Sequence, residues 1–274
     1  MPELPEVETV RRQLASALPG RRITGLGVRL PRLLRNIEPE RLEERVAGRR
    51  FAAVQRRGKF LLLHLDDGAR LIVHLRMTGR LTVAPAGDPE GPHTHIVVAL
   101  DGGLELRFSD QRTFGTWHYV ADDYGQEPPG LVSMGVEPLG DDFSPEALAA
   151  LVAGRRAPIK AVLLDQRRVA GIGNIYADEA LFRAGIDPAR PAGSLSEADL
   201  ARLHRTIRAV LQDSLAKGGT TVRDYVNGRG VPGEFQRYLD VYGRAGQPCR
   251  RCGTAIVRRR VAGRGTHVCP RCQR

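Results

Sequence analysis

FLLLHLDDGARLIVHLRMTGRLTVAPAGDPEGPHTHIVVALDGGLELRFSD, residues 60–110, decides the fold of the first half of the chain. The runs FLLLHL, RLIVHLRM, THIVVAL and LELRFSD are short and apolar or alternating. The segments DDG, PAGDPEGP and DGG separate them, which is the pattern of strands joined by turns. Upstream, PEVETVRRQLASAL (5–18) places Val7, Val10, Leu14 and Leu18 on one helical face. Residues 1–130 therefore read as a helix packed on a β-sandwich. Downstream, QEPPGLVSMGVEPLGDDFSP (126–145) is rich in Pro and Gly and lacks a period; it reads as a linker, bounded here at 131–143.

Helical signals dominate after the linker. Ser144-Pro145 offers an N-cap followed by proline at the first helical position. Ser196 and Asp199 cap a helix running to about Lys217, with Leu200, Leu203, Ile207, Val210 and Leu211 on its apolar face. Residues 218–238 are polar and Gly-rich and read as a loop. The fold class expected is α+β: an N-terminal sandwich (1–130), a helical domain (144–238) and a terminal module (239–274).

The chain has 274 residues, enough for two domains plus a small module. No run of 18 apolar residues occurs, so no membrane partner is expected. The acidic start lacks the basic and apolar regions of a secretory signal, so a cytoplasmic protein is expected. The net charge of +11 points to a polyanion, most often nucleic acid, against the plainer reading of a solvated Arg-rich surface. Among 42 basic residues only Lys59, Lys160 and Lys217 are lysine. Only lysine can lose its proton for chemistry, so each of the three merits attention.

All four cysteines lie at the end. Cys249-x2-Cys252 and Cys269-x2-Cys272 form two knuckles at the spacing of a tetrahedral Zn²⁺ site, with two disulfides as the alternative. Four thiolates close the shell, so one structural zinc in a ribbon hairpin is expected. Residues 241–274 carry nine arginines and no acidic residue, which suits phosphates. The stretch Arg258–Arg264, midway between the knuckles, is expected to form the hairpin turn.

The start, MPELPEVET, is unusual: removal of Met1 would expose the secondary amine of Pro2, a possible nucleophile, beside Glu3 and Glu6. PELPEVET, QRRGKFLLL, HLRMTG, DQRTFG, GIGNIYADEALF and the cysteine module occur in this order along essentially the whole chain. Together they resemble the formamidopyrimidine-DNA glycosylases, bifunctional base-excision enzymes for oxidised purines. The resemblance implies a helix–two-turn–helix domain, a loop at 218–238 covering the flipped base, and a monomer acting on double-stranded DNA that contains a damaged base, in a bacterial cytoplasm at the nucleoid. It implies that Pro2 attacks C1′, that Glu3 is the general acid/base supported by Glu6, and that Lys59 moves protons or binds phosphate. Arg264 is implied as a catalytic residue that binds the phosphates flanking the lesion and assists the second elimination. Asn174, His93 and Arg155 are implied as DNA contacts. Met77, Arg112 and Phe114 are implied to fill the gap left by an everted base.

Plainer readings exist for each. Pro2 can merely start a helix, and Glu6 can favour its first turn through the dipole. Lys59 can be an exposed strand lysine, and Asn174 can belong to a plain capping turn. By position alone Met77 and Phe114 read as core. The chain departs from the family pattern where Arg76 replaces a small residue, and where Gln111 and Thr113 replace Pro and Arg. Both departures flank the duplex-probing residues and bear on base-pair reading. An endonuclease VIII-like enzyme for oxidised pyrimidines and a non-enzymatic zinc-ribbon DNA binder are the alternatives.

Overall fold

The computed structural model describes residues 1–221 and 231–274. These fall into two compact units, residues 1–132 with 217–234, and residues 133–216 with 235–274. The loop expected over 218–238 lies in part outside the described residues.

The first unit opens with helix α1 (Leu4–Ala17), strand β1 (Ile23–Val28) and helix α2 (Pro39–Val46). Seven strands follow: β2 (Phe51–Arg57), β3 (Phe60–Leu65), β4 (Arg70–His74), β5 (Gly79–Pro85), β6 (Thr94–Leu100), β7 (Leu104–Asp110) and β8 (Thr116–Val120). A one-turn helix, α3 (Pro129–Val132), ends this part. Two antiparallel four-stranded sheets form, in the orders β1-β6-β7-β5 and β2-β3-β4-β8. Their inner faces share one core. Val54, Leu61, Leu63, Leu71 and Val73 come from one sheet, and Leu81, Ile96, Val98, Leu106 and Phe108 from the other. Val7, Val10, Leu14 and Leu18 of the first helix join this core, as their spacing predicts. β6 shows the strict alternation of a half-buried strand. β3 does not, because Phe60 and Leu62 on its other face are buried too.

The second unit contains α4 (Pro145–Val152), α5 (Ile159–Leu164), α6 (Asn174–Ala184) and α7 (Glu197–Ala216), then the hairpin β9 (Val257–Val261) and β10 (Arg264–Val268). Ser144 Oγ accepts the Ala147 N–H at 3.1 Å, and Ser196 exchanges reciprocal 3.2 Å bonds with Asp199, so both expected caps form. The expected apolar face of α7 is buried against α4 to α6. Phe235, in a 3-10 turn, completes that core.

The hairpin turn is narrower than the sequence suggests. Val261 pairs with Arg264, leaving only Ala262 and Gly263 to turn the chain, both at positive φ (48° and 75°) as a primed two-residue turn requires. Arg258, Arg259 and Arg260 therefore belong to β9 rather than to the tip.

Candidate active site and nucleic-acid interface

In the first unit the reactive groups gather at the start of α1. Pro2 is buried, and Glu3 and Glu6 are only 2% and 1% exposed. Glu3 is the N-cap, and its side chain accepts the N–H of Glu6 in a capping box. Glu6 does more than favour the helix turn. Its Oε2 accepts the Glu3 N–H at 2.8 Å, and its Oε1 accepts the Thr220 N–H at 2.7 Å. One carboxylate thus joins the backbone beside Pro2 to the start of the Gly-rich loop, a tie across 214 residues that local sequence cannot announce.

Lys59 is not an exposed strand lysine. It is buried, in the two-residue turn between β2 and β3, where Gly58 has φ 54°. Arg56 fixes that turn to α1 by donating to Glu8 at 3.1 Å and to the Gly58 carbonyl at 2.9 Å. His74, which sequence reasoning passed over, stands near the same charge. Burial, with the Arg76 and Lys59 charges, pulls its pKa down to about 3. Its Nδ1 accepts the Arg76 N–H at 2.9 Å, so the neutral ring carries its proton on Nε2.

The implied duplex probes occupy two exposed turns of the same unit. Met77 is 38% exposed and Phe114 50%, so neither is core. The Arg112 guanidinium lies 4.8 Å from the Phe114 ring centre. Buried Asp110, quoted in the motif without a role, knits these turns together. It accepts from the Thr78 hydroxyl, from Arg112 N (3.2 Å) and from Gly115 N (2.7 Å). Gly79 is required here, because a Cβ would stand 2.4 Å from the Leu75 carbonyl oxygen. The departures from the family pattern carry strain: Arg76 and Thr113 adopt φ of 54° and 53°, a region that suits glycine. His93 is exposed, also at positive φ (66°).

In the second unit, Asn174 is the first residue of α6, and its Nδ2 donates to the Gly265 carbonyl at 2.9 Å. That bond places it beside Arg264, the exposed first residue of β10. Arg155 is half-buried, its Nε held by the Leu151 carbonyl at 2.7 Å. Lys160, Asp178 and Glu179 are buried and were not anticipated as a group. Burial raises the pKa of Glu179, while it accepts the backbone N–H groups of Asp240, Val241 and Tyr242.

The four cysteine sulfurs lie within 4.8 Å of one another. Cys249 and Cys272 are 3.9 Å apart, and Cys252 and Cys269 3.5 Å. Those separations are far too long for disulfides. They fit the roughly 3.8 Å edge of a tetrahedron with Zn–S bonds of about 2.3 Å. Burial and the neighbouring thiols push Cys272 up to about 12, while hydrogen bonds from Thr254 pull Cys252 down to about 6. Four thiolates this close together repel one another and need a cation between them. The Arg251 N–H donates to Cys249 Sγ at 3.4 Å, as zinc knuckles require.

Comparison with known proteins agrees along the whole chain. Residues 1–117 match the formamidopyrimidine-DNA glycosylase N-terminal domain, residues 134–226 its H2TH domain, and residues 246–274 the zinc finger found in that family and in IleRS. The four cysteines therefore hold one structural zinc. A formamidopyrimidine-DNA glycosylase of Geobacillus kaustophilus is 50% identical over 275 residues, covering all of both chains. A crystal structure of a Lactococcus lactis FPG mutant with DNA containing Fapy-dG superposes with TM-score 0.92 at 38% identity, covering 99% of each chain. A complex of the Lactococcus lactis protein with abasic-site DNA gives 0.91 at 38% identity, again over 99% of each chain.

Proposed function

The chain belongs to the formamidopyrimidine-DNA glycosylase family, and on that premise we propose how its own residues divide the work of base excision. It is a base-excision repair DNA glycosylase with abasic-site lyase activity. Pro2, freed of Met1, is the nucleophile. Its nitrogen bonds C1′ as the bond to the damaged base breaks and the amine proton is lost; the C1′–O4′ bond then opens, with a proton delivered to O4′, giving an iminium whose positive charge acidifies C2′–H. Removal of that proton expels the 3′ phosphate, and a second elimination expels the 5′ phosphate. Glu3 moves protons at the sugar, and Glu6 holds its backbone. Lys59 supplies a proton or a phosphate contact from its turn.

The buried cluster of Pro2, Glu3 and Glu6 at the head of α1 carries this reading. Three polar or reactive groups are withdrawn from water there, which plain helix initiation does not require. Asn174, Arg155, His93 and Arg264 grip phosphates. Arg112 reads the orphaned base, with Met77 and Phe114 filling the gap. The enzyme acts as a monomer in the cytoplasm; no helix among the described residues is long and apolar enough to cross a membrane. Borohydride trapping on a duplex containing 8-oxoguanine tests the assignment. A covalent complex through Pro2 is expected. Noncovalent binding alone would mean a DNA binder, and preference for thymine glycol would mean the pyrimidine branch.

A further inference from the structure

Lys160 and Asp178 are fully buried (0% exposed) and face each other, with Lys160 Nζ 2.6 Å from Asp178 Oδ1. Neither has a role in the chemistry above. A buried ion pair is weak evidence for stability, since an apolar pair of similar shape often serves as well. Its other contacts show what it does. Lys160 Nζ also donates to Thr266 Oγ1 at 2.8 Å and to the Gly265 carbonyl at 3.2 Å. Thr266 Oγ1 in turn donates to the Arg264 carbonyl at 3.1 Å. The Gly265 carbonyl accepts Asn174 Nδ2 as well, and Asp178 Oδ2 accepts the His267 N–H at 2.9 Å. Every residue from Arg264 to His267 is therefore held, directly or through one hydroxyl, by this pair or by Asn174.

We infer that Lys160 and Asp178 form a positioning node that sets Arg264 and Asn174 at one fixed separation, so that both reach the same stretch of DNA backbone. The inference rests on the reading of those two residues as phosphate contacts. A two-stranded hairpin is marginal by itself. The zinc holds only its far end: Cys269 follows Val268, about 17 Å along β10 from Arg264 at the usual rise per residue. At the near end Arg264 has a single ladder partner, Val261, next to the turn. The node supplies the restraint that metal and ladder do not. Lys160 and Asp178 are positioning residues, acting through Arg264 and Asn174.

Salt titration of binding to an abasic-site duplex tests this with the zinc-loaded full chain. Lys160→Met is expected to keep one zinc and a cooperative unfolding transition. It should weaken binding by about as much as Arg264→Ala does, with the log–log salt slope shallower by roughly one. Added to Arg264→Ala, it should leave the slope where Arg264→Ala put it. Thr266→Val, which spares the ion pair but removes the hydroxyl bridge, should weaken binding in the same direction, and Thr266→Ser should restore it. The Thr266 pair decides the matter if Lys160→Met does not fold. Wild-type slope and affinity in Lys160→Met and Thr266→Val, or a further slope loss on the Arg264→Ala background, overturn the node alone. An Arg264→Ala variant that binds with wild-type affinity and slope overturns the phosphate reading, and the node with it.

Discussion

The sandwich and the terminal hairpin hold their working residues by different means. Pro2, Glu3 and Lys59 stand on a unit whose two sheets and α1 share a large apolar core, and their local bonds are refinements. The hairpin has almost no core: Val241 and Ile256 pack with Cys249, Cys269 and Phe182 of α6. It is held instead by a metal at one end and buried polar bonds at the other. Apolar burial spreads support over many residues, so single losses are absorbed. Metal and ion-pair staples concentrate it, so single losses are not. Buried carboxylates serve both regions: Glu6 ties the head of α1 to the start of the Gly-rich loop, and Asp178 and Glu179 tie β10 and the 240–242 loop to α6.

The largest effect should come from the sandwich, and from chemistry rather than stability. A chain in which Met1 is retained keeps every contact described but blocks the Pro2 amine. Borohydride trapping should vanish while binding to an abasic duplex persists; efficient trapping by Met1-bearing protein would overturn Pro2 as nucleophile. The hairpin should fail next. Chelation or Cys252→Ser should unfold residues 241–274 and remove most lesion-DNA affinity, because metal binding supplies much of a small ribbon's folding energy. The sandwich should retain its β-sheet circular dichroism. Concerted loss of both units on chelation would erase the contrast drawn above, and metal analysis finding no zinc in active protein would remove its basis.

A smaller test asks whether burial in the sandwich leaves a titration signature. The pKa of His74 falls from 6.5 to about 3 on folding, so the unfolded chain binds the proton more readily. Stability should therefore be complete above about pH 6.5 and fall as pH drops toward 3, by about 1.4 kcal/mol per unit. By pH 5 the deficit from this group is about 2 kcal/mol. His74→Asn keeps an acceptor for the Arg76 N–H and cannot titrate. Denaturant melts of both proteins at pH 7 and pH 5 should show the deficit only with histidine present. Equal pH dependence would mean that His74 is solvated.

What the sequence announced was local. The spacing of Val7, Val10, Leu14 and Leu18, the α7 face, both Ser caps and the cysteine knuckles need only short-range periodicity or spacing, and each formed. What it hid was pairing across the chain. Lys160 meets Thr266 across 106 residues and Glu6 meets Thr220 across 214, and no period links them. The rarity of lysine marked Lys160 for attention, but nothing in the sequence named its partner. Met77 and Phe114 show the opposite limit: apolar side chains in a strand-rich region read as core by residue type, yet both lie exposed on turns, where only backbone geometry reveals them.

The smallest expected effect separates two arginines of like charge and unlike support. Arg155, in the helical unit, keeps its guanidinium near the backbone through Leu151, with its remaining N–H groups able to meet a phosphate. Arg112, in the sandwich, lies over Phe114, and Asp110 and Thr78 hold its backbone N–H. On the proposed reading, this guanidinium beside the Phe114 ring is the donor that meets the base edge. Arg155→Ala should make the log–log salt slope shallower by roughly one and weaken all duplexes alike. Arg112→Ala should change the slope less and reduce preference for cytosine over adenine opposite 8-oxoguanine by about 1 kcal/mol, the scale of a net hydrogen bond. Arg76 is exposed on the neighbouring turn, and its charge can substitute in part. The double variant Arg76→Gly/Arg112→Ala should therefore lose more opposite-base preference than Arg112→Ala alone. If Arg112→Ala instead flattens the slope as Arg155→Ala does and shifts both duplexes equally, the two arginines do the same work, and the division between a reading sandwich and a gripping helical unit is wrong.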